Sequence, residues 1–254
     1  KTGREMTARI AALWRHPIKG HGRESLDSVT LTESQTMPWD RRWAVAHELS
    51  EADNSEWSPC TAFSRGAKVP GLMAISADCD TKTGTVTLRH PDRPDLSFDP
   101  DQEAQAFLDW VRPLMPTNRA QSARIVRVEN RGMTDTDYPS ISLLNLASNE
   151  VMTQTMGQDI SALRWRCNIH VAGFDPWAEF DWIGKTIRIG TAELHIREPI
   201  LRCLATTANP STGLRDADTL GTLNKQFGHQ DFGVYAEVTQ SGEIVVGDAV
   251  VLAA

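Results

Sequence analysis

Apolar and polar residues alternate with a period of two along much of this chain, and this alternation limits the possible folds more than any other feature. The period matches a β-strand, whose successive side chains point to opposite faces of a sheet. Strands are predicted at residues 8–14, 42–47, 85–89, 124–128, 168–171, 186–189, 193–197, 234–239, 243–246 and 249–252. Ser241 and Gly242 separate two of these strands, and a Ser-Gly pair in that place predicts a hairpin.

Helical spacing of apolar residues occurs in fewer segments, at residues 101–114, 148–156 and 216–227. Ser148 is predicted to cap the start of the second helix, while Gly157 and Gly228 are predicted to end the second and third. Many short strands with scattered helices predict a mainly β, α+β protein that is rich in β-barrel structure.

A stretch rich in Pro and Asp at residues 90–101 is the best candidate for a boundary between two modules. We expect an N-terminal β-barrel-like module over residues 6–100. It is expected to pack on a second domain over residues 101–254, which includes a linking helix. A chain of 254 residues is long enough for either one large domain or two small ones.

The acidic balance of the chain, with a net charge of −7, argues against broad binding of nucleic acid or anionic membranes. No run approaches the ~18–20 consecutive apolar residues of a membrane-spanning helix. The start of the chain does not combine a charged segment with an apolar signal core. A cytoplasmic protein without a membrane span is therefore expected. The four cysteines lack CxxC spacing, which argues against a zinc ribbon or a disulfide framework.

The segment PILRCLATT, at residues 199–207, is the first candidate for chemistry because Cys203 follows Arg202 directly after an alternating strand. A nearby guanidinium lowers the pKa of a thiol, and the thiolate is the form that binds soft metals or attacks electrophiles. The alternative is a buried core cysteine beside a surface arginine, and from this segment alone that alternative is favoured.

The segment RWRCNIH, at residues 164–170, is the second candidate. Strand alternation would place Arg164, Arg166, Asn168 and His170 on one face and Cys167, as an inert thiol, on the other. Guanidinium groups bind phosphate well, and an asparagine suits the edge of a heteroaromatic ring. A solvated strand face is an equally good interpretation of the same pattern.

Three shorter features are weaker evidence for a binding site. Lys19 is followed by Gly20 and Gly22 in HPIKGHG, where backbone could approach a bound anion, although this segment alone favours a plain turn. Arg41 and Arg42 in DRRW could be a surface pair, and Tyr235 in FGVY could simply pack in a strand.

In their order and in their residues, these motifs resemble the MOSC domain, which is named for the C-terminal domain of molybdenum-cofactor sulfurases. The resemblance is carried by RWRCNIHVAG, by WIG at residues 182–184, by LRCLATTANPSTG, and by FGVYAEV with SGEIVVGD. WRHPIKG and WDRRWAVAHE resemble the β-barrel module that precedes MOSC domains. The resemblance covers nearly the whole chain and is loosest between residues 49 and 118.

Within that family the chain is similar to the amidoxime-reducing component and its bacterial relatives. This resemblance implies the molybdenum cofactor (Mo-molybdopterin), with a cysteine thiolate on molybdenum, and reduction of N-hydroxylated compounds. Cys203 matches the metal-ligating, catalytic cysteine. The positions that match cofactor contacts are Lys19, Gly20, Arg41 (or Arg42 if the alignment shifts by one), Asn145, Ser148, Arg166, Asn168, Arg202 and Tyr235.

Two residues depart from the family pattern. Leu201 stands where a small polar residue often precedes the Arg-Cys pair, and Gly20 stands where serine is common. The chain also lacks the cysteine spacing of a [2Fe–2S] domain, so electrons are expected to come from separate flavin or iron–sulfur proteins.

The resemblance favours an oxidoreductase that acts on small N-hydroxylated or N-oxide substrates. The alternative is a non-redox carrier of the molybdenum cofactor, or of sulfur as a persulfide on Cys203. A third hypothesis is a non-catalytic β-barrel binding module.

Overall fold

A computed structural model describes residues 8–253. Residues 1–7 and 254 lie outside the described residues, and these include residues 6, 7 and 254 of the two expected domains. The strands are β1 (Arg9–Arg15), β2 (Glu24–Leu26), β3 (Ser28–Leu31), β4 (Ala44–His47), β5 (Ser76–Asp80), β6 (Thr85–His90), β7 (Arg93–Phe98), β8 (Ser122–Val126), β9 (Ile141–Asn145), β10 (Ile169–Ala172), β11 (Thr186–Ile189), β12 (Ala192–Leu201), β13 (Asp231–Gln240), β14 (Gly242–Val245) and β15 (Val250–Leu252). The α-helices are α1 (Ala104–Val111), α2 (Leu146–Met156) and α3 (Thr219–Thr222). None of the helices between residues 8 and 253 combines the length and apolar character needed to span a bilayer.

The largest sheet has the strand order β15-β11-β12-β13-β9-β10-β1-β2, in which only β9 and β10 are parallel neighbours. It closes on itself because β1 also bonds the segment that leads into β15. The Ile10 N–H donates to the carbonyl of Asp248 (2.9 Å), and the Gly247 N–H donates to the carbonyl of Ile10 (2.9 Å). The predicted β-barrel-rich fold is therefore confirmed.

The barrel is filled by the inward-facing residues of its strands. In β12, Ala192, Leu194 and Ile196 are fully buried, and the residues between them are not. They pack in one apolar cluster with residues of β1, β9, β10, β11 and β13. Burial of such side chains contributes roughly 1.5–3 kcal/mol each, which makes this alternation the main source of barrel stability.

A second cluster fills the space between the β5-β6-β7 sheet and α1. Phe98 of β7 stacks on Phe107 of α1, and their ring centroids lie 5.6 Å apart. Trp43, which precedes β4, joins the same cluster. The Pro/Asp-rich stretch expected to separate two modules thus contains a strand, and the helix after it packs with the N-terminal residues.

The structure corrects three local predictions. The strands around Ser241 and Gly242 do not form a hairpin, because β13 pairs with β12 and β9 whereas β14 pairs with β3. Residues 164–167 are not extended: a 3-10 turn spans Ala162–Trp165, and strand β10 begins only at Ile169. The residue that caps α2 is Asn145, whose side chain accepts from the Ala147 N–H, and Ser148 lies inside the helix.

The glycine near the start of β13 is expected to be important for stability. Gly233 has a φ of +75°, and a Cβ added there would lie 2.5 Å from the carbonyl oxygen of Leu143 on the neighbouring strand. Gly233→Ala is expected to lower the free energy of unfolding by about 2 kcal/mol or more, because a strained backbone and a backbone clash add together. Urea denaturation measures the loss.

Gly84→Ala is the matched control, since Gly84 has a φ of +82° with no atom within 4 Å of an added Cβ. It should lose only about 1 kcal/mol. Equal losses for the two variants would contradict the packing described at Gly233.

Candidate functional site

A cleft lies where the turn after β1, the end of β12 and the residues before β10 meet, and its space with the adjoining open solvent included is about 820 Å³. The sequence-predicted residues that it brings together are Lys19, Gly20, Arg41, Arg166, Arg202, Cys203 and Tyr235. These residues are far apart in the chain, so the barrel and the loops attached to it assemble the site.

Lys19 is held inside the cleft by two hydrogen bonds of its ammonium group. Its Nζ donates to the carbonyl of Met133 (2.7 Å) and to Oδ1 of Asp135 (2.5 Å). Gly20 follows with a φ of +76°, and an added Cβ would lie 2.8 Å from the carbonyl oxygen of Ser64. The glycine that departs from the family pattern is therefore required by this close backbone approach.

Arg41 reaches the cleft from the turn that precedes β4. Its backbone is left-handed, with a φ of 47°, and its N–H donates to the carbonyl of His16 (2.6 Å). The guanidinium bonds Oδ2 of Asp40 through Nη1 and the carbonyl of Arg166 through Nη2 (2.9 Å). Arg41 is thus fixed in place and links two loops of the site.

Asp40 is buried beneath Arg41 and connects the two turns. Its Oδ1 accepts from the His16 N–H at 2.7 Å. Burial alone would raise the pKa of Asp40, but the Arg41 charge and the hydrogen bond with His16 outweigh it and hold the pKa well below its ordinary value. The carboxylate form is therefore part of the folded site.

Arg166 is the least compensated cation of the cleft. It also has a left-handed backbone, with a φ of 50°. Its Nη2 donates to the carbonyl of Gly22 (3.1 Å), while Nη1 is buried with no hydrogen-bond partner among the described residues. Burial, with the charges of Arg41 and Arg23, lowers the pKa of Arg166 to about 9. A buried cationic donor without a partner favours an anionic ligand.

The lining residues that were not predicted from sequence include Asp135, Cys60 and Arg65. Desolvation opposes ionisation of Asp135, but Lys19 dominates and lowers its pKa to about 2. The Cys60 thiol accepts from Arg65 Nη1 (2.8 Å), and burial raises the pKa of Cys60. Arg65 and Asp135 lie in irregular segments and Cys60 begins a short 3-10 helix, and none of the three belongs to a recognisable motif.

The two residues of the Arg-Cys pair make different contacts. Arg202 is buried, and its Nε donates to the carbonyl of Phe232 and its Nη1 to the carbonyl of Trp165, both at 2.7 Å. Its Nη2 lies 3.2 Å from Sγ of Cys167. Cys203 is exposed and lines the cleft, as Arg202 does. The Arg202 guanidinium bonds these groups, and within residues 8–253 no hydrogen bond joins it to the Cys203 thiol.

Tyr235 completes the cleft lining. Burial and the nearby Asp135 charge raise the pKa of Tyr235, so its phenol stays protonated at neutral pH.

The other three sequence-predicted residues are buried and do not line this cleft. Oδ1 of Asn168 accepts from the N–H and hydroxyl of Ser142, at 3.1 and 2.9 Å, and also faces Arg41 Nη1 at 3.3 Å. Asn145 and Ser148 both donate to the carboxylate of Glu179, at 2.9 and 2.7 Å. Asn168 therefore helps to hold Arg41 without lining the cleft itself, whereas Asn145 and Ser148 fix the start of α2.

Two family models match the chain. The MOSC N-terminal beta barrel domain matches residues 7–137, and the MOSC domain matches residues 132–251. The chain belongs to the MOSC family. The two matches meet near residue 132, later in the chain than the expected boundary at residue 100.

The relatives of this MOSC protein include mitochondrial amidoxime-reducing component 1 of Mus musculus, 26% identical over 96% of this chain and 82% of the relative. The Homo sapiens protein of the same name is 25% identical with the same coverage. Molybdenum cofactor sulfurase of Anopheles gambiae is 26% identical over 50% of this chain and 19% of the relative. A solved structure, the YUAD protein from Bacillus subtilis, aligns with a TM-score of 0.46 and 12% identity over 96% of this chain and 94% of that one.

The buried Asp40 carboxylate of this MOSC protein predicts a specific pH dependence. Its ordinary pKa of 3.8 applies to the unfolded chain, and its pKa in the folded protein is lower. Its contribution to stability is therefore complete above about pH 4 and is lost as the pH falls through the folded-state value. Asp40→Asn is expected to lower the free energy of unfolding by about 3 kcal/mol at pH 7, with a difference that shrinks below pH 4.

Urea denaturation at several pH values tests this expectation. Asp27→Asn, at an exposed aspartate, should change stability by less than about 0.5 kcal/mol. A difference between wild type and Asp40→Asn that stays constant from pH 7 to pH 3 would contradict a lowered pKa of Asp40 in the folded protein.

Proposed function

We propose that this MOSC protein binds the molybdenum cofactor and is an oxidoreductase that reduces N-hydroxylated or N-oxide compounds. The observation that carries the proposal is one cleft in which an exposed thiol, Cys203, faces a set of buried cations. A thiolate suits a soft metal, and buried cations suit a phosphate. The cleft therefore offers partners to both the metal and the phosphate of a phosphorylated metal cofactor.

The residues of the cleft fit such a cofactor. Molybdopterin combines a pterin ring, a metal-binding dithiolene and a phosphate. Arg166 has a buried Nη1 without a partner, and Lys19 and Arg41 lie in the same cleft. Cys203 would contribute one sulfur ligand to the metal, and its exposure at the cleft allows that contact.

The cofactor, when bound, supplies the two-electron redox chemistry. In the overall reaction the N–O bond breaks, two electrons and two protons are consumed, and the oxygen leaves as water. Separate flavin or iron–sulfur proteins would provide the electrons. The protein's own residues hold the phosphate and fix the thiolate, and Tyr235 keeps a neutral hydroxyl at the cleft that can donate a hydrogen bond.

The relatives support the same proposal. The mouse and human proteins are amidoxime-reducing components by name, and both align over 96% of this chain. Amidoximes are N-hydroxylated compounds, which is the substrate class proposed here. We also propose a cytoplasmic location, which these relatives do not support because both are mitochondrial by name.

A carrier of sulfur is the second candidate, and the exposure of Cys203 favours it because a donor enzyme could reach the thiol. The similarity to a molybdenum cofactor sulfurase from Anopheles gambiae over half of the chain supports the same alternative. In that case Cys203 would hold a persulfide and no substrate would be reduced.

Cys203→Ser is the first test, because loss of the thiolate should remove a metal ligand and leave the cations in place. The wild-type protein, purified from a host that makes the cofactor, is expected to contain near-stoichiometric molybdenum. The variant should lose molybdenum and retain more pterin than metal. Metal analysis and a fluorescent pterin assay give the two contents, and reduced viologen dye with an amidoxime gives the activity.

Cys79→Ser is the control, since Cys79 lies in β5 outside the cleft, and it should keep its molybdenum. A folded wild type without molybdenum or pterin would contradict the proposal. A mass increase of one sulfur atom on Cys203 in that protein would support the carrier instead.

Arg166→Met separates cofactor binding from stability. Removing a hydrogen bond to a charged group should reduce pterin content by about tenfold or more. The free energy of unfolding of the cofactor-free protein should fall by less than about 1 kcal/mol, because the variant also removes a poorly compensated buried charge. Pterin analysis and urea denaturation give the two values.

Arg188→Met, at an exposed position of β11, should leave both values unchanged. Pterin content equal to wild type in Arg166→Met would show that Arg166 does not bind the cofactor.

A further inference from the structure

Two exposed leucines flank Cys203 in the chain. Leu201, the last residue of β12, is 71% exposed, and Leu204, the first residue of the following 3-10 turn, is 52% exposed. A single exposed leucine needs no explanation, but two on either side of a candidate metal ligand form a local apolar surface. We call Leu201 and Leu204 the apolar rim.

The apolar rim continues into one wall of the cleft. This apolar wall consists of Gly66, Met73, Ile200, Leu201 and Ala205. Three of its members are closely packed. A Cβ added at Gly66 would lie 2.7 Å from Sδ of Met73 and 3.3 Å from Cβ of Ala205. The apolar surface therefore extends from outside the cleft to the neighbourhood of Cys203.

Several charged residues of the cleft bond one another. Lys19 bonds Asp135, and Arg41 bonds both Asp40 and the carbonyl of Arg166. The cleft thus combines cations suited to an anion with the apolar wall, which suits an uncharged group.

We infer that the apolar rim and apolar wall select N-oxygenated substrates that are uncharged and carry an aromatic or bulky aliphatic substituent, with Leu201 as a residue that determines this specificity. The inference rests on the proposed reductase function and adds the substrate class. The substituent would lie on Leu201 and Leu204 while the N–O group faces Cys203. Leu201 would gain this contact only when substrate is bound, because it is mostly exposed without it.

The position of Leu201 supports a role in specificity and not in stability. Its backbone pairs with Asp231 at the end of β12, and its side chain is outside the barrel clusters. A serine can occupy this extended position without strain. The apolar contact can therefore be removed without disturbing the barrel.

The test compares wild type with Leu201→Ser on a matched pair of substrates, a phenyl amidoxime and acetamidoxime, which differ in the apolar substituent. With reduced viologen dye as donor, the ratio of kcat/KM for phenyl over methyl should fall by about tenfold in Leu201→Ser. Leu49→Ser is the control, because Leu49 is 79% exposed but lies outside the cleft, and it should keep the wild-type ratio. An unchanged ratio in Leu201→Ser would overturn the inference.

A binding measurement separates this inference from the proposed function. Calorimetric titration of the cofactor-loaded protein with the phenyl amidoxime, without reductant, should show weaker binding by Leu201→Ser than by wild type or Leu49→Ser. This difference together with absence of turnover would support the apolar contact and contradict the reductase function. Equal dissociation constants for all three proteins would overturn the inference even if both substrates are reduced.

Discussion

The candidate site depends on one buried carboxylate. Asp40 accepts a hydrogen bond from the backbone of His16 and pairs with Arg41, so it joins the turn that carries Lys19 to the turn that carries Arg41. Arg41 in turn bonds the carbonyl of Arg166. Without a negative charge at this point, the desolvation of several cations in one cleft would cost far more free energy than their packing contributes. Both Arg41 and Arg166 also have left-handed backbones, which costs about 1 kcal/mol or more each and persists because these contacts hold them.

The sequence predicts the barrel where strands have one buried and one exposed face. β12 and β13 show this alternation and were predicted within a few residues. β9 was missed because all of its residues, ISLLN, are buried and no alternation remains. The false hairpin at Ser241 and Gly242 has a similar origin: local turn residues do not reveal that β14 pairs with a strand far away in the chain. Periodicity describes a strand's environment but not its partners.

The site was predicted to the extent that motifs carry it. Lys19, Arg41, Arg166 and Cys203 were identified by their motifs, and the fold brings them to one cleft. Asp135 was missed because its role comes from a contact with Lys19 across the chain, in a segment without regular structure. The contacts of Arg202 could not be predicted, because its guanidinium bonds Trp165 and Cys167, which lie far from it in the chain. Residue types can be read from a sequence, but the direction of a side chain depends on local backbone conformation.

The closure of the barrel determines when the site can form. β1 bonds the segment around Asp248, and Lys19 follows β1 directly in the chain. During synthesis on a ribosome, the turn with Lys19 emerges first and remains without its barrel neighbours until the residues near 250 have left the exit tunnel. Cys203 and Tyr235 also belong to that late part of the chain. The cleft is therefore complete only once the barrel has closed, so a ligand that needs the whole cleft, the proposed cofactor included, would bind after translation.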